Sequence, residues 1–396
     1  MKLKNIGLLL LIVIVAVNLS ACENPLYSSK RVEKPVQATK SENKIKISTD
    51  QVEMEKEIKM EMERRNEEDL KKKIREYLLA KNLSGSVSVV KNKHVLFQEG
   101  VGYANEEKKL LNQPSTTYPI GSITKMFVAT SIMMLQDQHK LDIQDPISKY
   151  IPNFPNGNQI KIYNFLTHTS GIPAYHWHNG DTTPLKLVQT IQKSPVKFQP
   201  GAKWDYLDAN YIVLGYLVEK VSGTPLHEFI QKNIIDKVHL NDTGFITHDH
   251  PVPYTSESHL KKENNVETFQ SISPYPLFSC GDIYSTPYNL SLFDQALMDG
   301  ELVSKESLAQ MMTPSPVSKY GLGMYNNGTS VYSIGVLGGW YSMHSYYYND
   351  NTSVVLLLNE KRQGMVIDYY VNDIYQIVKE SPNLDSHQVR GHLTLD

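Results

Sequence analysis

Strand-forming sequence lies towards the two ends of this 396-residue chain, with little between. Early on, Ser84-Gly85-Ser86-Val87-Ser88-Val89-Val90 reads as a strand, Lys91-Asn92-Lys93-His94 as a turn, and Val95 to Ala104 as a second strand, together a hairpin. Strand signals return only at Val331 to Ile334, Ser342 to Tyr348 and Ser353 to Leu358, followed by a closing helix of the Tyr369, Ile374, Ile377 type. From about 122 to 300 the sequence reads as mostly helical, with Pro-rich and Gly-rich loops. Strands at both ends with helices between predict one α/β sheet built from both ends of the chain, carrying an inserted helical region. A helix leads in: Leu70, Ile74, Tyr77 and Leu78 recur at helical spacing, so folded sequence is expected from about 66 to 380, with 381–396 as a tail.

The chain is 40% hydrophobic and 21% charged, which excludes full-length disorder and rod-like repeats. Its 40 Lys and Arg against 42 Asp and Glu leave no basic excess for a polyphosphate backbone, so nucleic acid is not an expected partner. The two cysteines, Cys22 and Cys280, cannot build a disulfide framework or a four-thiolate metal site.

At the start, Lys2 and Lys4 precede an apolar run from Ile6 to Val17. A membrane-spanning helix needs about 20 apolar residues, so this run has the length of a signal-peptide core instead. Leu19-Ser20-Ala21-Cys22 then resembles the bacterial lipobox, in which the cysteine is lipidated as the signal is removed. Residues 1–22 are therefore expected to be a lipoprotein signal, and Cys22 a lipid anchor on the extracellular face of the cytoplasmic membrane. Residues 23–65, rich in Lys, Glu, Ser and Asn, cannot bury enough apolar surface to offset their ordering entropy, and read as a polar tether with some helix towards its end.

Ser-x-x-Lys has chemical content at the start of a helix, where residues three apart share a face and an ammonium can reach the hydroxyl. The pattern occurs at Ser41, Ser88, Ser122, Ser194 and Ser258. Ser41 lies in the tether, Ser88 in a strand, Ser194 just before Pro195, and Ser258 in what reads as a polar loop from Ser256 to Asn265. Only Ser122, after Gly121, opens a long apolar helix; Lys125 follows at the required spacing. The competing reading is an ordinary helix cap. A serine nucleophile also needs a base. Trp204-Asp205-Tyr206-Leu207-Asp208-Ala209-Asn210 follows a Pro200-Gly201 turn and runs into a helix, which puts Tyr206 in a loop.

Taken in order, Gly121-Ser122-Ile123-Thr124-Lys125, Leu166-Thr167-His168-Thr169-Ser170-Gly171, the Tyr206 loop and Gly335 to Gly339 resemble the serine β-lactamase and penicillin-binding protein superfamily. Within it, the chain is similar to the class C β-lactamase-related branch, over about Asp69 to Glu380. The resemblance implies a β-lactamase/transpeptidase-like α/β fold, with an antiparallel sheet flanked by helices and an all-helical insertion. It implies Ser122 as nucleophile, Lys125 and Tyr206 sharing general-base and general-acid work, and an oxyanion hole from the Ser122 N–H and one near Val336. No cofactor or metal is called for.

Two departures bear on the substrate. The second motif usually reads Tyr-x-Asn, and here ends in Asp208; the third usually places Lys or His two residues before its Gly, and here reads Ser333-Ile334-Gly335. An amide can donate to a peptide or penicillin carbonyl, and an ionised aspartate cannot. Loss of the cation removes a partner for a substrate carboxylate. A D-alanyl ester of teichoic acid offers an ammonium, which Asp208 can pair, and needs no carboxylate site at Ser333. Tyr-x-Asp and Gly338-Gly339-Trp340 are similar to Gram-positive teichoic-acid D-alanyl esterases of the FmtA type, with Trp340 expected to border the site. The expected partners are a cell-wall polymer (teichoic acid or peptidoglycan), the membrane through its lipid, and β-lactams as further acyl donors. A D,D-carboxypeptidase, a weak β-lactamase and a non-catalytic cell-wall binding protein are the alternatives.

His176-Trp177-His178 and His248-Asp249-His250 each put two imidazoles on one side of an extended segment, a pattern compatible with zinc. Both sit near Pro or Gly in apparent loops, and neither completes a metallohydrolase run. His168 and Cys280 read as structural residues.

Overall fold

In a computed structural model, residues 49–176, 183–250, 253–263, 265–273 and 275–381 are described. The signal region with Cys22, the tether as far as residue 48, His178 and the tail beyond Ser381 lie outside them.

The first element, α1, spans Thr49–Ala80. It begins well before the expected start of folded sequence, yet its first described buried side chain is Leu70. Leu70, Ile74 and Leu78 are fully buried, one face of a 3.6-residue repeat. Then come β1 (Gly85–Lys91) and β2 (His94–Val101). Asn92 and Lys93 between them both take positive φ, 49° and 65°, which matches the twist of a two-residue hairpin. The inserted region holds α2 (Thr124–Asp137), α3 (Asp208–Ser222), a hairpin of β3 (Ser258–Lys262) and β4 (Asn265–Phe269), and α4 (Pro287–Met298). The chain closes with β5 (Tyr325–Asn326), β6 (Ser330–Leu337), β7 (Trp340–Tyr347), β8 (Thr352–Leu358), β9 (Glu360–Arg362) and α5 (Ile367–Lys379).

The main sheet runs β5-β6-β7-β8-β1-β2, every neighbour antiparallel, so β1 joins the late strands through β8 with Gly85 opposite Leu358. β7 and β8 are buried along their whole length. One face of the sheet packs on α2 and α4, where Phe127 and Phe293 stack at 4.2 Å. The other face packs on α1 and α5.

Two local expectations need correction. The Ser256–Asn265 stretch is not a loop: Ser258 starts β3, buried, and its Oγ accepts the Gly339 N–H at 3.2 Å. The stretch belongs to a small sheet ordered β9-β3-β4 whose side chains in β3 and β4 are mostly half-buried or exposed, so polarity alone misread it. In α5 the buried residues are Ile367, Val371, Ile374, Tyr375 and Val378, while Tyr369 is 67% exposed. The helical period through Ile374 runs back to Val371 and Ile367, not to Tyr369.

Candidate active site

Ser122 sits in a single 3₁₀ turn, Gly121–Ile123, immediately before α2. The turn is pinned by the Ile120 N–H, which donates to the Ile283 carbonyl at 3.0 Å, and by the short strands Tyr118–Pro119 and Ile283–Ser285 that pair beside it. Ser122 is not a helix cap: neither the turn nor α2 has a side-chain cap bond. Its hydroxyl oxygen instead accepts a hydrogen bond from Lys125 Nζ at 2.9 Å.

Lys125, on the first turn of α2, is wholly buried. Its Nζ also donates to Asp208 Oδ1 at 2.7 Å and to the Cys280 carbonyl at 2.8 Å. Three acceptors for one nitrogen use all three N–H bonds of an ammonium. Burial alone pushes the Lys125 pKa down, but the neighbouring Tyr206 and Asp208 outweigh it and hold the pKa above the ordinary lysine value. In the resting site Lys125 is therefore a cation and a donor, with no lone pair to take the serine proton.

Asp208 opens α3, where the helix N-terminus favours an anion. Its side chain is 57% exposed, so one carboxylate is shared between a buried ammonium and the solvent side of the site. Tyr206, in the loop before α3, places its ring centroid 5.2 Å from Lys125 Nζ. It packs among Trp204, His168 and Tyr320, with ring centroids at 6.1, 4.1 and 5.9 Å.

Strand β6 closes the opposite side. A methyl group on Gly335 would lie 1.8 Å from the Ile120 carbonyl oxygen and 3.2 Å from the Ser122 nitrogen. One on Gly121, whose φ is +54°, would lie 2.9 Å from the Val336 nitrogen. Two glycines thus let the backbones of the nucleophile turn and β6 touch, which brings the Ser122 and Val336 N–H groups to neighbouring positions, as an oxyanion hole requires. Gly335→Ala is expected to force β6 away and slow acylation of Ser122 about 10²-fold, the scale of a lost oxyanion donor. Labelling of Ser122 at the parent rate in that variant would reject the contact as functional.

Ser122, Lys125, Tyr206, Asp208, Gly335 and Val336 therefore come together; Ser333 and Trp340 do not open onto the site. Ser333 is 4% exposed and its hydroxyl donates to the Gly323 carbonyl at 3.2 Å. Trp340 is fully buried, with Nε1 donating to Ser256 Oγ at 2.9 Å and its ring edge-on to Tyr254. The Gly-Gly before it exists for packing: methyl groups there would meet the Phe269 ring and the His259 backbone. A large aromatic beside a hairpin turn looked like a site border and is instead the anchor of the β3–β4 hairpin.

Cys280 enters the site through its carbonyl, which no sequence signal marks. Its thiol is buried and its pKa is pushed well up, by burial first and Asp208 next, which keeps it protonated and inert. His176, His248 and His250 are exposed, and among the described residues no group of three His, Cys, Asp or Glu side chains gathers as a metal site.

The β-lactamase family model matches residues 70–374. The putative penicillin-binding protein PbpX of Bacillus subtilis is 34% identical over 367 residues, covering 90% of each chain. The teichoic acid D-alanine hydrolase of Staphylococcus aureus is 28% identical over 310 residues, 76% of this chain and 77% of that one. The crystal structure of FmtA from Staphylococcus aureus superposes with a TM-score of 0.71 at 26% identity, covering 79% of this chain and 87% of the other. The family match runs from the helix ahead of the sheet into the helix that closes it, so the chain belongs to the β-lactamase family and is a serine hydrolase.

Proposed function

We propose that the chain is an exported hydrolase, held at the membrane by a lipid on Cys22, that removes D-alanyl groups from teichoic acid through an acyl-enzyme on Ser122. The observation that carries this reading is Asp208: an exposed carboxylate, tied to Lys125 within a hydrogen bond of the nucleophile, where the common pattern has an amide donor. Lys125 occupies one of its oxygens, and a carboxylate keeps lone pairs for a second cation. The D-alanyl ammonium is that cation. On the opposite side, Ser333 is consumed by the Gly323 carbonyl, so no cation awaits a substrate carboxylate at that position.

In this reading Ser122 Oγ attacks the ester carbonyl while its proton is relayed through the Tyr206 hydroxyl, which accepts it as it gives its own proton towards the departing polyol oxygen. Lys125 steadies the developing charge on Oγ, and the Ser122 and Val336 N–H groups receive the carbonyl oxygen. The polyol alkoxide takes the proton and leaves; water then cleaves the D-alanyl–Ser122 ester by the same route in reverse. The relative named as a teichoic acid D-alanine hydrolase supports this choice of ester, and the relative named as a putative penicillin-binding protein supports a D,D-carboxypeptidase as the second reading.

Release of free D-alanine from purified teichoic acid, set beside release from a D-Ala-D-Ala peptide, decides between them. Faster release from the polymer is expected; release from the peptide alone would replace the first reading by the second.

Location has its own test. Among the described residues no helix is long and apolar enough to cross a membrane, and the anchor proposed here is the Cys22 lipid. Cys22→Ser is expected to abolish incorporation of a fatty-acid probe and to free the protein or leave its signal uncut. Undiminished lipid labelling in that variant would remove the anchor.

A further inference from the structure

His168 is wholly buried, and it touches the Tyr206 loop at three successive residues. Its carbonyl accepts the Asp205 N–H at 2.9 Å. Its ring stacks on the Tyr206 ring, with centroids 4.1 Å apart and 29° between planes. Its Nδ1 accepts the Leu207 N–H at 3.2 Å. Residues 203–207 belong to no helix or strand, so no regular hydrogen-bond ladder fixes where Tyr206 stands. We infer that His168 is a positioning residue for Tyr206, gripping the loop on both sides of it as a neutral imidazole whose Nδ1 carries no hydrogen.

The donors around the ring require that form. Besides Leu207 N–H, the Asn210 side-chain amide reaches Nδ1 at 3.1 Å. Asn210 is itself oriented: its Oδ1 accepts the Ser170 hydroxyl at 2.5 Å, which turns its NH₂ towards the imidazole. Two donors converging on Nδ1 leave the ring hydrogen on Nε2. A proton added at Nδ1 would face both donors and release Leu207. The surroundings oppose that proton, because burial first and the Lys125 ammonium next hold the His168 pKa well below the ordinary histidine range.

The cost of the arrangement also points to a role. His168 takes φ +56°, a conformation that His and Asn enter more readily than most residues. Its Nε2 is buried among aromatic rings and has no hydrogen-bond partner among the described residues. An apolar side chain would fill this space without an orphaned donor, so packing alone does not call for histidine.

The inference rests on Ser122 as nucleophile and Tyr206 as its proton partner. The test reads the rate at which an activated fluorophosphonate labels Ser122, which is independent of the natural substrate. His168→Leu removes the acceptor; His168→Asn puts an amide oxygen near the place of Nδ1 and suits the left-handed backbone. His168→Leu is expected to slow labelling at least about 10-fold, since misplacement by about 1 Å can cost 10²-fold, and His168→Asn to recover most of the loss. In a Tyr206→Phe background, either change should add less than about twofold, because a residue that acts through Tyr206 has nothing left to position.

Equal losses from Leu and Asn, or a His168→Leu loss that multiplies in full onto Tyr206→Phe, would overturn the inference while leaving the catalytic assignment intact. If His168→Leu does not fold, the same cycle with His168→Gln, whose oxygen is displaced by one more carbon, decides by the same ratio. Labelling that survives Ser122→Ala would overturn the nucleophile assignment and this inference together.

Discussion

Lys125→Met is expected to lower turnover by about 10³–10⁴-fold, near the upper end of what a proton-transfer or charge-stabilising group contributes. Methionine approximates the length and flexibility of the lysine stem, so the packing of α2 is largely kept. What disappears is the one charge that links Ser122, Asp208 and the Cys280 carbonyl, at 2.9, 2.7 and 2.8 Å. The Cys280 carbonyl then loses its charged donor, while Asp208 is exposed enough for water to replace the ammonium. Stability should fall less than activity, and a melting curve run beside the kinetics separates the two. Ser122→Ala is the companion variant: it should keep the fold and form no covalent adduct. Turnover within tenfold of the parent in Lys125→Met would mean that the ammonium is a structural tie.

Asp208→Asn carries the second large effect, and its information lies in a ratio. The variant removes the anion beside Lys125, so every substrate shares that loss. Only a substrate with an ammonium also loses a partner of its own. Truncating a paired charge costs about 2–5 kcal/mol, and at 57% exposure the low end applies, about 2 kcal/mol or roughly 30-fold. kcat/KM for D-alanyl esters is therefore expected to fall about 30-fold relative to a neutral acetyl ester of similar size. For an N-acylated D-Ala-D-Ala peptide, the new amide can donate to the acyl carbonyl, and the ratio should move the other way. If all three substrates slow by the same factor, Asp208 serves Lys125 alone and the D-alanyl preference loses its physical basis.

Much of this site was legible because its parts are local. Ser122 and Lys125 are three residues apart, one in the 3₁₀ turn and one in the first turn of the helix it leads into, and Tyr206 and Asp208 straddle a loop–helix junction that a Pro-Gly turn announces. The sheet was legible because β8 closes on the unbroken apolar run Val354 to Leu358 and β1 offers only valines and small residues before Lys91, as strands covered on both faces require. What escaped is what lies between distant segments. The Cys280 carbonyl is a backbone atom that any residue could supply. Ser333 looked available because its bond to Gly323 comes from a neighbouring loop, and Trp340 looked like a site wall because its partner, Ser256, lies 84 residues away. The grip of His168 on the Tyr206 loop likewise crosses from one motif to another, and neither motif read alone discloses it.

The way β1 enters the sheet has a consequence for when the enzyme can first work. On one side β1 pairs at once with β2, its partner in the hairpin. On the other it must wait for β8, and beside that seam Ser84 donates to Asn359, 275 residues further along. Contacts so distant in sequence form late, because the entropy of closing the loop is lost before the contact returns anything. The Ser122 turn waits as well, since the Val336 N–H proposed as its oxyanion partner lies on a strand made after nearly all of the inserted region. A nascent chain therefore carries Ser122 and Lys125 for most of its synthesis without an oxyanion partner. On the proposed mechanism, acyl transfer is switched on only when the final sixth of the polypeptide docks.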